Sequence, residues 1–212
     1  MHSTLGYFIS PRWGVYCRHI LYESCRRWLP GLQKITMKFF RILLVALIFT
    51  ACAKPQQTAN NADSLAEIKQ TVRTKFPSIT QLSTNDYDAW MKDSTRKKPL
   101  LLDARKPEEF SVSHLRYAIS VADEPQIVEA LKDYPKDAPI VAYCSVGYRS
   151  SQLAEKLKAQ GYTNVVNLEG SIFQWANEGR PIFQNEQPTN QVHQYDKKWG
   201  ELLKPELRAP LN

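Results

Sequence analysis

Cysteine is scarce in the body of this 212-residue chain. Of its four cysteines, Cys17, Cys25, Cys52 and Cys144, only Cys144 follows residue 52. No pair has C-x-x-C spacing, so neither a zinc ribbon nor a thioredoxin-type dithiol is suggested. The segment after residue 52 cannot form an internal disulfide, and its lone thiol is either buried filler or a reactive group. Charge of one sign is also missing from the body. Much of the formal +7 belongs to residues 1–52, where Arg12, Arg18, Arg26, Arg27, Lys34, Lys38 and Arg41 face a single acid, Glu23, leaving 21 basic and 20 acidic residues beyond. A nearly neutral body argues against nucleic-acid binding. No internal repeat is visible. What is present in quantity is apolar material: 43% hydrophobic and 11% aromatic residues allow a sizeable core, and the length suits one domain with extensions or two very small ones.

The N-terminal quarter reads as an address. Met37-Lys38-Phe39-Phe40-Arg41 is a short basic start, Ile42 to Phe49 is an apolar run, and Thr50-Ala51-Cys52 leads into polar residues. That order is the pattern of a secretory signal. The run is too short to cross a bilayer of about 30 Å comfortably as a helix. A cysteine directly after small residues makes residues 37–52 resemble a bacterial lipoprotein signal, with Phe49 standing where that family usually has an aliphatic residue. The resemblance implies lipid on Cys52, membrane attachment through the N-terminus, and export to the periplasm or another extracytoplasmic site. Residues 1–36 fit badly in front of such a signal, and we expect translation to start at Met37. A membrane-proximal arm or an arginine-bearing transit peptide are the alternatives for that stretch.

Residues 53–78 are expected to be a polar tether, Gln56 to Asn61, followed by a helix from Asp63 to Phe76 with Leu65, Ile68, Val72 and Phe76 on one face. From residue 79 strand and helix signals alternate. Short apolar runs at Ile79–Leu82, Leu100–Leu102, Ala118–Val121, Ile140–Tyr143 and Val165–Leu168 read as strands. Helices are expected from Ser83 or Thr84 to Met91, after Pro107, over Ile127–Leu131, over Arg149–Gln160 and through Phe173 to Trp175. The fold class is therefore α/β, an open and mainly parallel central sheet flanked by helices over residues 79–180. Sites in such sheets form at the carboxyl ends of strands, where Asp103 and Cys144 both fall. The C-terminal tail, 181–212, is polar with scattered anchors at Tyr195, Trp199, Leu202 and Leu203. A loop and short helix lying against the domain or a partner, and a solvated tail, both fit it.

The chemistry concentrates in Cys144-Ser145-Val146-Gly147-Tyr148-Arg149-Ser150, between an apolar strand and a helix. Such a loop can curl backbone N–H groups around one point, with a helix N-terminus behind them, and hold a cysteine as the thiolate that attacks. Gly147 permits the tight turn and Arg149 adds positive charge. This C-x-x-G-x-R-S loop resembles the active-site loop of single-domain rhodaneses. So do Leu102-Asp103-Ala104-Arg105 with Glu108-Glu109-Phe110, His114-Leu115, and Asn167-Leu168-Glu169-Gly170-Ser171 with Trp175. The chain departs from that family at Ser113, at Arg116-Tyr117 and at Ser171, where glycine or proline-glycine is usual.

The resemblance implies a sulfurtransferase without metal or organic cofactor. Cys144 would take sulfane sulfur from a small anionic donor such as thiosulfate and pass it, as a persulfide, to cyanide or a thiol acceptor. Catalysis would rest on Cys144 and Arg149, and substrate binding on Ser145, Val146, Gly147, Tyr148 and Ser150. Arg105 would line the pocket mouth or be an ordinary surface charge. Asp103, His114 and Trp175 read as structural support: a carboxylate anchoring its loop, a hydrogen-bonded histidine and a core indole. Arg116 and Tyr117 either narrow the approach or lie on the surface. Two other functions remain open. A Cys-based phosphatase or arsenate reductase places arginine six residues after cysteine, against five here. A non-enzymatic binding or sulfur-delivery module would meet a protein partner through the tail.

Overall fold

The computed structural model describes residues 56–211, with side chains from residue 64 onward. The upstream extension 1–36, the signal-like segment 37–52 and the expected lipidation site Cys52 lie outside the described residues. The elements run α1 (Gln56–Lys75), β1 (Thr80–Leu82), α2 (Thr84–Lys92), β2 (Leu100–Asp103), α3 (Pro107–Val112), β3 (Ile119–Ser120), α4 (Glu124–Leu131), β4 (Ile140–Tyr143), α5 (Tyr148–Ala159), β5 (Val165–Leu168), α6 (Ser171–Asn177), β6 (Ile182–Gln184), β7 (Gln187–Thr189) and α7 (Lys197–Gly200), with a final 3-10 turn at Pro205–Leu207.

β1 to β5 form a parallel sheet in the order β1-β5-β4-β2-β3. The middle strand explains the layering. All four residues of β4 are buried, as expected of a strand covered on both faces. Successive side chains alternate between those faces. Val141 and Tyr143 enter one core cluster with Leu101, Leu168, Ile172 and Trp175; Ile140 and Ala142 enter the other with Leu102, Val165, Leu153 and Leu157. Local signals mark the helix starts. Ser83 caps α2 by accepting the Asp86 amide, Asp123 does the same for α4 with Gln126, and Pro107 occupies the first turn of α3.

One expectation needs correction. The stretch Gln56 to Asn61 is not a tether separate from the helix: α1 begins at Gln56 and runs unbroken to Lys75. No glycine or proline interrupts it, and once the apolar turns at Leu65, Ile68 and Val72 are docked, extension adds one hydrogen bond per residue fixed. Neither Asp63 nor Ser64 caps its start. Leu65 packs in the first cluster, Val72 and Phe76 in the second, and Ile68 against both.

The C-terminal tail is likewise part of the fold. β6 and β7 form an antiparallel hairpin whose two turn residues, Asn185 and Glu186, both have positive φ, at 46° and 66°, the geometry that matches the strands' twist. The hairpin is tied to the domain by paired amide bonds between His114 and Phe183. Beyond it, Val192 and Leu203 are fully buried in the first cluster and Leu202 nearly so. Val192 exchanges backbone bonds with Leu207 and Ala209. Of the expected anchors, Leu202 and Leu203 are thus spent on the chain's own core and Trp199 packs against it, while Tyr195 stays exposed. No helix among the described residues is long and apolar enough to cross a membrane.

Candidate active site

β4 ends at Tyr143 and delivers Cys144 to the carboxyl edge of the sheet, where only three residues separate it from α5. The sulfur is almost wholly covered, with Cys144 1% exposed. Gly147 makes the turn at φ 107°, and a Cβ there would stand 3.0 Å from Asn167 Nδ2. The conformation strains any side chain there, and one would fit only if Asn167 shifted by a few tenths of an ångström. The Gly147 N–H donates to Cys144 Sγ at 3.2 Å. Behind it, the first-turn amides of α5 have no partner within the helix.

The loop is clamped from below by α6. The amides of Ile172 and Phe173 donate to the carbonyls of Cys144 and Ser145, at 3.2 and 3.1 Å. The Ser171 hydroxyl accepts the Cys144 amide at 3.1 Å and donates to the Leu168 carbonyl at 3.0 Å. Ser171 sits in left-handed backbone at φ 53° yet is fully buried. The hydroxyl found where glycine is usual in the resembling family therefore has a task, which is to tie down the N–H of Cys144.

Arg149, on the first turn of α5, reaches back over the loop. Its Nη1 and Nη2 donate to Glu109 Oε2 and Oε1 at 2.7 and 2.8 Å, and Nη2 also to Ser145 Oγ at 3.0 Å. This is the fork-to-fork geometry that suits arginine and not lysine. Glu109 comes from α3 and is 1% exposed. It also accepts the Lys106 amide at 3.1 Å and the Ser145 hydroxyl at 3.0 Å. Burial alone would raise the Glu109 carboxyl; the Arg149 fork, the Lys106 amide and the charge of Arg105 outweigh it and hold it below the usual range. Burial would likewise push the Cys144 thiol up. The Arg149 charge and hydrogen bonds from Ser150 and Gly147 overcome it, so the thiol ionises below its ordinary value.

The expected site residues therefore divide. Cys144, Ser145, Val146, Tyr148 and Arg149 border one cavity of about 430 Å³. Ser150 is buried beneath it, its Oγ 2.6 Å from Asn167 Oδ1, with a single proton to share between that oxygen and the sulfur. Arg105 does not line the mouth and is not a surface charge. It is 0% exposed and forks onto Asp103, Nε at 2.9 Å to Oδ1 and Nη2 at 2.6 Å to Oδ2, with Nη2 also on the Ser113 carbonyl and the guanidinium over the Tyr143 ring at 5.7 Å. A carboxylate two residues earlier, at the end of β2, captures it before it can reach the surface.

Asp103 is the fully buried anchor of that loop, also accepting the Arg105 amide. His114 stacks on Phe110 with ring centroids 4.3 Å apart and has Nδ1 3.0 Å from the Leu115 carbonyl. Trp175 lies in the core, donating Nε1–H to the Pro181 carbonyl. Arg116 and Tyr117 do not border the cavity: Arg116 lies over Phe183, and Tyr117 is 68% exposed.

Several residues escaped the sequence reading. Glu109, given no role beyond its place in a resembling motif, is the partner that orients Arg149. Asn167 and Ser171 bind the loop from β5 and α6. The rest of the cavity wall comes from outside the 79–180 segment, from Ile68, Thr71 and Val72 of α1, from Tyr195 and from Trp199 of α7. Chemically, the arrangement offers a buried thiolate-prone sulfur, amide donors around it, and an arginine whose charge is matched by a carboxylate. Among the described residues, no cluster of three or more His, Cys, Asp or Glu is placed to hold a metal ion.

Residues 83–178 match the rhodanese-like domain family. A sulfurtransferase of Allochromatium vinosum is 39% identical over 83 residues, which are 39% of this chain and 77% of that protein. The adenylyltransferase and sulfurtransferase UBA4 of Candida albicans is 32% identical over 105 residues, 46% of this chain but only 24% of the relative's length. A rhodanese-like domain protein from Staphylococcus aureus is similar at a TM-score of 0.43 and 24% identity, over 50% of this chain and 99% of that one. Identity at the level of the Allochromatium protein, spread over most of its length, decides the kinship of the sheet and its loop: the chain belongs to the rhodanese-like domain family.

Proposed function

We propose that the chain is a sulfurtransferase that carries sulfane sulfur on Cys144. The Cys144 thiolate attacks the outer sulfur of the donor, the donor's S–S bond breaks, and its remainder leaves with the bonding electron pair. The resulting Cys144 persulfide is then attacked at its outer sulfur by a thiol acceptor, which restores the thiolate. Neither half-reaction changes the total oxidation level, so no redox partner is required. The observation that carries this reading is the Cys144 sulfur itself: buried, bordering the cavity, accepting the Gly147 amide and lowered in pKa by Arg149.

The test is mass spectrometry of the folded, reduced protein after exposure to a sulfur donor. Cys144 should gain one sulfur, about 32 Da, removable by dithiothreitol. Cys144→Ser should lose both adduct and transfer while keeping the fold, because the hydroxyl is close in shape but a far weaker nucleophile at neutral pH. If inorganic polysulfide also leaves Cys144 unmodified, the reading fails and a binding module takes its place. The phosphatase alternative is disfavoured by the loop, in which Arg149 follows Cys144 by five residues and is held by Glu109.

We also propose that the protein works outside the cytoplasmic membrane, anchored by lipid on Cys52. The support is the basic, apolar, small-residue and cysteine order from Met37 to Cys52. One acyl chain gives only marginal membrane binding, so several are expected. Palmitate labelling that disappears in Cys52→Ala supports the anchor; unlabelled protein recovered from the cytoplasm refutes it.

A further inference from the structure

We infer that the donor serving Cys144 is a small organic sulfane compound whose sulfur is attached to an aromatic or bulky aliphatic group, in preference to inorganic thiosulfate. The inference rests on the sulfur-transfer reading above and concerns what surrounds the sulfur. Of the side chains bordering the cavity, Ile68, Val72, Val146, Tyr148, Tyr195 and Trp199 are apolar or aromatic, and Arg149 is the single basic one among the described residues. That arginine is already engaged, since both terminal nitrogens donate to the Glu109 carboxylate. Lys106 comes within 5.9 Å of the Tyr195 ring but pairs with Glu108 at 3.7 Å. An inorganic dianion entering this space would shed its water and meet a neutralised cation, a poor exchange for a doubly charged group.

Size argues the same way. Sites for small organic molecules run from about 300 to 1,000 Å³ and are mostly apolar with a few placed polar groups. A cavity of about 430 Å³ belongs in that class and would be left largely unfilled by thiosulfate. A sulfur only 1% exposed on the border of that cavity favours a free small molecule over a persulfide borne on a protein surface.

The walls that make it apolar are built deliberately. Tyr195 has left-handed backbone at φ 66°, its N–H held by His193 Nδ1 at 2.9 Å, and its ring stands 5.5 Å from the Arg149 guanidinium. A bulky residue in that region of backbone is uncommon, and such strain gathers where a side chain must be aimed. Trp199 is fixed beside it by the Asp196 cap, which accepts the Trp199 amide at 2.8 Å.

Thiosulfonates test this, because the same sulfur leaves different groups: the Cys144 thiolate takes the outer sulfur and an organic sulfinate departs with the electron pair. Benzenethiosulfonate, methanethiosulfonate and thiosulfate should be compared by kcat/KM in sulfur transfer to cyanide by the full chain. Each value is divided by that donor's rate with free cysteine to remove intrinsic reactivity. The benzene donor should exceed both others by about tenfold or more, the discrimination expected from filling an apolar pocket. That ratio should fall several-fold in Tyr195→Ala and Trp199→Ala and survive in Trp199→Phe, whose ring separates loss of the wall from loss of folding. Equal normalised values for the three donors, or a ratio unmoved in both alanine variants, would overturn the inference while leaving sulfur transfer intact. A more efficient reaction with a persulfidated protein than with benzenethiosulfonate would also overturn it. Failure of every donor, polysulfide included, is a different result and refutes the proposed function itself.

Discussion

The loops after β2 and β4 each hold an arginine forked onto a carboxylate, and they use the same geometry for opposite ends. Asp103 and Arg105 are both 0% exposed, joined two residues apart, and contact neither the cavity nor Cys144. Glu109 and Arg149 are joined across 40 residues, with the glutamate side chain 1% and the arginine 31% exposed, and the arginine borders the cavity. In the first pair both charged groups are buried within one loop, and only the field of Arg105 reaches out, to Glu109. In the second, a buried carboxylate on α3 holds a partly exposed guanidinium at the start of α5, so the position of the Cys144 loop depends on a different part of the fold. The difference teaches that fork geometry alone does not mark a functional arginine; what the arginine faces on its other side does.

The largest expected effect comes from breaking the sealed pair. Asp103→Ala leaves Arg105 charged, with no acceptor to spare: its Nη1 already lacks a hydrogen-bond partner within the described residues. Burial disfavours that charge, and Asp103 is what reverses the balance. Removing one partner of a buried pair costs about 3–5 kcal/mol, which urea denaturation would read directly. A loss under about 1 kcal/mol, the surface-pair range, would mean that water reaches Arg105 and the two pairs differ less than their burial suggests.

Next is Arg149→Lys. Lysine keeps the charge but cannot make two parallel bonds to Glu109 and a third to Ser145. Stability should change little, by about 1 kcal/mol, as the site is partly open to solvent. Transfer should fall about tenfold or more, because a loop misplaced by a fraction of an ångström loses reacting geometry. The fall should be similar for thiosulfate and for organic donors, since Arg149 is engaged in bracing the loop. A loss confined to thiosulfate would show instead that the guanidinium binds the donor's charge and that its bonds to Glu109 yield when substrate enters.

These contrasts also show where a sequence is readable. The parallel sheet was legible because Ile140–Tyr143 and Val165–Leu168 are apolar runs bounded by turn residues, and strands covered on both faces leave just that trace. Cys144, Gly147 and Arg149 were legible as a group because loop, cysteine and glycine are contiguous. Glu109 was not, for its role depends on a contact across 40 residues that no local period records. Arg105 misled for the reverse reason: its partner is local, yet nothing in Asp103-Ala104-Arg105 says whether the pair points in or out. The cavity walls were hidden most deeply. Tyr195 and Trp199 sit among Gln, His, Asp and Lys, a composition that reads as a solvated tail, and only the burial of Val192 and Leu203 behind them brings the segment back onto the site.

The smallest effect concerns ionisation of the sulfur, and it asks whether the second pair is electrically open to Cys144. Arg149 favours the thiolate directly. Glu109 is hydrogen-bonded to Arg149 and cancels part of its charge, so the two should act on Cys144 with opposite sign. Iodoacetamide alkylation of Cys144, followed against pH, should have a wild-type midpoint below that of an ordinary thiol. Arg149→Met should move the midpoint up. Glu109→Gln keeps the side chain's size and one acceptor oxygen but removes the negative charge, and should move it down. The proton balance makes the readout clean. The Glu109 carboxyl is held below the usual carboxylate range, so the stability it contributes is present above the ordinary glutamate value and is lost only as pH falls through its lowered folded value. Glu109 therefore stays ionised throughout the range in which a thiol titrates, and the alkylation curve reports Cys144 alone. Asp103→Asn, measured in whatever fraction remains folded, is the internal control: it should leave the midpoint where it was. A Glu109→Gln midpoint equally unmoved would mean that the Glu109–Arg149 pair is sealed from the sulfur as completely as Asp103–Arg105, and that the low thiol value comes from the amide of Gly147 and the hydroxyl of Ser150 instead.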